Sequence, residues 1–348
     1  MGNKIIIAIL VLGASLSPGI GDSFQGQTAA NSFIIKVSAI GFMGGVTIQE
    51  NGEIINAPQW NIWSQWKGRS KPVAYMRNSS VQIWAKFVAE KSITQATIWA
   101  ESGDVLGNLA QVTVDFVNGT SQYYKFTPEN LAPNYLSKDV LKFQWRAIVD
   151  VSEQWLNTSE HIMYTILDNP VAPMETPWVK VLDKACQWGQ GSLSEAEAAE
   201  AISIQEYIEL DMEKTYYGGS THAAGTTFYL NDFLNDTWGD CRDISAYYHI
   251  LCRAVGISSA KVRRISYWTS YFCYKPILPF GYTSWSSGCW NFHQVGWYNN
   301  VYDPCIMVDQ SDPKYPMDMD INGDYKYYVY DYGTWDTSES PFMYSSVY

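Results

Sequence analysis

Basic residues are few in this chain. Its 348 residues include 23 Lys and Arg against 35 Asp and Glu, a formal net charge of -12. That balance repels phosphate backbones and anionic membrane surfaces, so no nucleic acid is expected among its partners. Long apolar runs are also missing. The run from Ile5 to about Leu16 is too short to cross a bilayer, which needs about 20 residues. With Lys4 before it and small and polar residues after it, residues 1–30 have the layout of a secretory leader, cleaved between Gly21 and Ala30. No cysteine follows that run to take a lipid. The expectation is therefore a secreted or cell-envelope protein with no stable membrane anchor after cleavage. Cysteine is sparse, and six in the chain do not make a disulfide-dense scaffold. Cys273, Cys289 and Cys305 lie in loop-rich or strand-like sequence and are the expected bridge formers. Cys252 reads as a buried thiol, and Cys186 is left open. Histidine is scarcest of all, with four in the chain.

Aromatics, by contrast, are abundant, with 15 Trp and 25 Tyr, which favours strand-rich structure and ring-lined surfaces. Up to about residue 170, apolar residues alternate with period two. "VQIWAKFVA" sets Val81, Ile83, Ala85 and Phe87 on one face, "QVTVDFV" sets Val112, Val114 and Phe116, and "LKFQWRAIVDV" sets Leu141, Phe143, Trp145, Ala147 and Val149. Turns such as "ENGE", "ESGD" and "VNGT" separate these runs. The pattern predicts an all-β, immunoglobulin-like sandwich over residues 31–170. Three prolines within "LDNPVAPMETPW" end it, and residues 171–178 are the expected linker. Residues 179–348 then open with a helical pattern, capped at Ser194 or Ser192 and running to Tyr216 and Tyr217.

The chemistry centres on "NDTWGDCRDISAYYHILCRAVGI", residues 235–257. Asp240 is the expected cap, Asp243 an acid in the first turn, and Ile244, Tyr248, Leu251 and Val255 recur at helical spacing before Gly256. Cys241 then stands at the first helical residue. There the backbone N–H groups and the helix dipole favour a thiolate, and can hold the oxyanion formed when it attacks a carbonyl. A nucleophile of this kind needs a base. His161 falls in a sandwich strand. His249 lies eight residues along the same helix, a rise of about 12 Å that puts it out of reach. His222 is carried on a loop, and its reach is left open. His293, in "NFHQVGWYNNVYDPC", is followed ten residues later by Asp303, a carboxylate that could fix the tautomer of the imidazole. The spacing sets a condition. A two-residue "NN" loop would put His293 and Asp303 on opposite faces of the sheet, whereas a loop of three or five residues, or a bulge, would bring them to one face.

The order Cys241, His293, Asp303, with "GDCRDISAYYHILCRAVGISSAKVR" around the cysteine, resembles the core of the transglutaminase-like superfamily over about residues 178–310. The resemblance implies an α+β papain-like domain in which Cys241 is the nucleophile, His293 the general base and then acid, and Asp303 its orienting partner. Trp238 and the start of the cysteine helix at Asp240 and Cys241 would lie near the oxyanion or substrate. The segment between cysteine and histidine carries the insert "SYWTSYFCYKPILPFGYTSWSSGCW", which a Cys273–Cys289 bridge would close. The implied activity is cysteine-dependent acyl transfer or hydrolysis (transglutaminase, protease or deamidase type) on protein or peptide amides. The alternative is an exported adhesion or glycan-binding protein that keeps the fold without activity and takes a cell-envelope polymer as partner.

Two further patterns bear on ligands. Asp318, Asp320, Asn322 and Asp324 alternate like the start of a calcium loop, but Val329 stands where such a loop carries its bidentate glutamate. No cofactor is therefore expected, with calcium the one candidate. Trp60, Trp63 and Trp66 recur at helical spacing, as a core stripe or a sugar-stacking surface.

Overall fold

The structure is a computed structural model that describes residues 34–62, 70–224, 227–266, 272–329, 334–336 and 343–344. The leader expected over residues 1–30, together with Trp63 and Trp66, lies outside them.

The alternating segments form strands where the pattern predicts them, at Gln82–Ala89, Leu109–Val117 and Ser137–Val149. Most of their apolar face is inside: Ile83, Ala85, Phe87, Leu141, Phe143, Trp145 and Ala147 are all 0% exposed, while Val112 and Val149 are half-buried. Hydrogen bonding carries on from strand to strand through ten strands, so the N-terminal half is one continuous curled sheet. Register shifts at Val37/Ala39 and Gln144/Arg146 accompany the bending, as extra residues in one strand of a pair increase local twist. Pairing is antiparallel except at the end, where Met163–Ile166 runs parallel to Val73–Met76. Trp60 is in a two-residue strand against Ala39 and Ile40, not a helix, and at 3% exposure it has no face for a sugar ring.

The second half packs helices Val179–Trp188, Glu195–Glu213 and Cys241–Ala254 against short strands, around a core that also takes in Ala74, Tyr164 and Ile166 of the sheet. The segment with the prolines is not a free connection. Met174 and Trp178 are buried in that core, and Leu167 and Val171 donate their N–H groups to Val255 and Arg253 at the end of the cysteine helix. The Glu195–Glu213 helix begins at Ser194, whose side chain accepts from Glu197 N. It stops short of Tyr216: Lys214 turns extended, its ammonium goes to the carbonyls of Phe233 and Asp236, and Thr215–Tyr216 pairs with Trp238–Gly239. That pairing delivers the chain into the cysteine helix, Cys241–Ala254.

Two glycines let this helix be approached closely. Gly256 ends it at φ +92°, and a Cβ there would sit 2.4 Å from the Asp168 carbonyl oxygen. Gly296 lies on the strand that crosses the helix, where a Cβ would come within 2.3 Å of the Tyr248 ring. Only a residue without a side chain brings that strand, which carries His293, so near. Among the described residues no helix is long and apolar enough to cross a membrane.

Candidate active site

The cysteine helix starts as the sequence predicts. Asp240 caps it, accepting from Arg242 N at 2.8 Å and Asp243 N at 3.3 Å, while Asp243 returns the bond by accepting from Asp240 N at 3.1 Å. The Asp240 carboxylate is also gripped by the Arg242 guanidinium at 2.9 and 2.5 Å. Burial raises its pKa and the bonds from Arg242 oppose that rise. Asp240 is thus spent on the helix start and on Arg242, where the sequence reading gave it an oxyanion or substrate role.

Asp243 is wholly buried and also takes the backbone N–H and Nδ1 of His222, at 2.7 and 3.1 Å. The other nitrogen of His222 meets Asp236 at 2.8 Å, and its ring stacks on Trp238 with centroids 4.1 Å apart. Both nitrogens of His222 are engaged by carboxylates. This histidine, left open by the sequence, buttresses the start of the cysteine helix and Trp238.

His293 lies on the strand Phe292–Tyr298, which turns into Asn300–Tyr302. The register pairs Gly296 with Tyr302, Trp297 with Val301 and Tyr298 with Asn300, around Asn299 at φ +61°. The two-residue loop is avoided. Continued by one step, this register sets Asp303 opposite Val295, two residues from His293, and hence on the same face. Asparagine is among the few side chains that tolerate the left-handed conformation this turn requires. Asp303 is held by its own N–H, which donates to Pro316 O at 2.7 Å.

The carboxylate meets the imidazole: His293 Nε2 and Asp303 Oδ2 are 2.8 Å apart, both side chains wholly buried. Nδ1 of His293 is buried without a fully formed hydrogen bond, and the Cys241 thiol interacts with the same ring. Burial works against a charge on His293, but the charge and hydrogen bond of Asp303, helped by Cys241, outweigh it and push its pKa up to about 10. Near neutral pH the imidazole is protonated beside a helix-start sulfur that is only 4% exposed.

Several neighbours carried no signal in the sequence. The insert folds into a hairpin, Phe272–Pro279 with Ser286–Trp290, bridged by Cys273–Cys289. Its last residue, Trp290, stacks on the His293 ring at 4.3 Å, with Tyr274 stacked on the far side at 4.1 Å. The long insert thus shields the histidine. Cys305, expected to bridge, is instead a free and wholly buried thiol. Burial, Asp303 and Cys241 push its pKa well up. Tyr216 approaches Cys241, and its phenol is pushed up by burial and by that sulfur. Tyr325 donates its hydroxyl to Asp303 Oδ2 at 2.7 Å. Glu206, from the Glu195–Glu213 helix, is wholly buried with neither oxygen partnered. Burial, and then the charge of Asp303, push its pKa well up. Tyr216, Tyr325 and Glu206 are brought from distant segments, whereas Trp290 and Cys305 stand three and two residues from His293 and Asp303.

The acids that resemble a calcium loop are spread over other tasks. Asp318 accepts from Asn300 Nδ2 at 2.9 Å, Asp320 accepts from Asn322 N and Gly323 N at 2.9 and 2.6 Å, and Val329 is buried. Among the described residues, the donors close enough to hold a metal ion are those of His293, Asp303 and Cys305, within 4.8 Å of one another. The nitrogen and oxygen there are already hydrogen-bonded to each other, so neither is free for an ion in this arrangement.

No family model matches the sequence, and no curated protein matches it. Among solved structures, the transglutaminase of red sea bream is similar at 10% identity with a TM-score of 0.34, over 68% of this chain and 49% of that one. The chain thus spans about half the length of that protein.

Proposed function

We propose that this protein is an exported cysteine-dependent acyl transferase or amide hydrolase acting on protein or peptide amides. On this reading an immunoglobulin-like domain over residues 31–170 precedes a transglutaminase-like domain over residues 179–348. The observation that carries the proposal is the chain of contacts from the Cys241 thiol to the His293 imidazole to the Asp303 carboxylate, at the capped start of a buried helix.

The thiolate of Cys241 attacks the amide carbonyl, and the oxyanion faces the backbone N–H groups of the helix start. His293, protonated, gives its proton to the departing amine, which leaves a thioester on Cys241. A second amine or a water then gives up a proton to His293 and attacks the thioester, which releases the product and restores the thiolate. Asp303 stabilises the imidazolium throughout.

Iodoacetamide labelling at pH 7, followed by peptide mapping, tests this. Cys241 should react at least about tenfold faster than free cysteine, because more of it is thiolate, while the buried Cys186, Cys252 and Cys305 lag behind. A rate at Cys241 no faster than that of free cysteine would overturn the nucleophile.

A further inference from the structure

We propose that Tyr325 is a positioning residue for this site: its hydroxyl shares Asp303 Oδ2 with the His293 imidazole, so that the strength of this one hydrogen bond sets how tightly the imidazole keeps its proton. The proposal rests on the reading of Cys241, His293 and Asp303 given above.

Asp303 Oδ2 takes two donors, Tyr325 OH at 2.7 Å and His293 Nε2 at 2.8 Å, and Oδ1 takes Cys305 N at 3.0 Å. A carboxylate buried away from water keeps its charge only if donors replace the water. Asp303 is 1% exposed, and these three donors are what replaces it. The titratable groups around it come from every side: His293 from its strand, Cys305 from the following turn, Cys241 from the helix start, Glu206 from the Glu195–Glu213 helix and Tyr325 itself. Glu206 brings no donor of its own to Asp303, and its ionisation would set a like charge nearby. The phenol of Tyr325 is pushed well above its ordinary value by burial and by Asp303, so it remains a donor across the working pH range.

The chain is built to deliver this hydroxyl. Val301 and Met319 exchange backbone bonds at 3.0 and 3.2 Å, and Tyr325 N donates to Asp320 O at 3.0 Å. The Asp320 carboxylate caps the turn between them. The acidic run that looks like a calcium loop in the sequence is the mount for Tyr325, and Asp320 is the residue that forms it.

A phenol hydroxyl on Oδ2 competes with the imidazole for that oxygen's charge. Removing it makes the carboxylate more basic, so His293 holds its proton more tightly; strengthening it does the reverse. The test is the imidazole titration of His293 in the full-length protein, followed by NMR with labelled histidine. Tyr325→Phe keeps the ring and its packing and should raise the midpoint by about half a pH unit or more. The residue 3-fluorotyrosine placed at 325 alone is a stronger donor of nearly the same size and should lower it. Opposite shifts support the proposal, since a ring that merely fills space would move neither. No shift, or shifts in the same direction, would overturn it. If the Phe variant does not fold, the fluorinated variant decides alone. Iodoacetamide reports separately on Cys241, so a failure of the nucleophile and a failure of Tyr325 are distinguishable.

Discussion

The curled sheet and the cysteine site each bury a histidine, and they treat it in opposite ways. His161 is 1% exposed and lies among the rings of Phe42, Trp60 and Phe143, with only Ser159 Oγ in reach at 3.0 Å. Burial there pushes its pKa down to about 3. His293 is 0% exposed and stacked under Trp290, yet its pKa rises to about 10. Loss of water opposes the charged imidazole in both places. What differs is Asp303. His249, on the cysteine helix itself, confirms the rule from a third position: burial and then the nearby Arg253 charge push it down to about 3. A buried histidine in this protein is inert unless a carboxylate is built in beside it.

The largest effect should come from making the two regions alike. Asp303→Asn keeps the shape of the side chain and removes its charge, so burial then acts on His293 with only Cys241 opposing it, and its midpoint should fall from about 10 to below 6.5, toward that of His161. Turnover of an amide substrate, or alkylation of Cys241, should drop by about 10² to 10⁴-fold. A midpoint that stays near its original value would break the comparison, since something other than Asp303 would then hold the proton.

A second, smaller effect appears in stability. His293 binds its proton more tightly folded than unfolded, where its pKa is near 6.5. Its contribution is therefore complete below pH 6.5 and is lost as pH rises toward 10, at up to about 1.4 kcal/mol per unit. His161 and His249 have depressed folded values of about 3, so their contribution is complete above pH 6.5 and is lost as pH falls, each at up to about the same slope. Urea midpoints measured across pH should show a maximum near neutrality. Asp303→Asn should flatten the decline between pH 7 and 9 and steepen the acid limb, since His293 then joins the histidines whose folded values lie below 6.5. An unchanged alkaline limb would count against the charge assigned to His293.

The same contrast marks how much the sequence could tell. Period-two alternation predicts the buried faces of Gln82–Ala89 and Ser137–Val149 because each strand's side-chain directions are set locally. The cap at Asp240, the helix through Ala254 and the stop at Gly256 are legible for the same reason, as is the Cys273–Cys289 pair within one hairpin. The continuous curl of the sheet was not legible, because it depends on which edges meet. The His293–Asp303 face depended on one turn residue, Asn299, whose left-handed conformation shifts the register by a single step. Tyr325 and Glu206 were invisible as site residues, because their sequence neighbours say nothing of the carboxylate they meet; Trp290 stands three residues before His293, yet nothing local says that its ring stacks on the imidazole. Cys305 was misread for a related reason, since its strand-like surroundings suggested a bridge while tertiary packing buries it behind Asp303.

The smallest effect is the sharpest check that the two histidines are independent. In His161→Phe, a third benzene ring joins Phe42 and Phe143, and the unpartnered Nδ1 of the imidazole is removed. The contact with Ser159 is lost, but its Oγ keeps the bond from Trp145 Nε1 at 3.1 Å. The added ring volume and the relief of a buried polar atom oppose each other, so stability at pH 7 should change by about 1 kcal/mol or less. The acid limb of the urea profile should become shallower, because one of its two buried bases is gone. Alkylation of Cys241 should proceed at the wild-type rate, as nothing in the curled sheet's core touches His293 or its carboxylate. A slowed Cys241 would show that the two buried histidines are coupled, and that the contrast between them is not set by Asp303 alone.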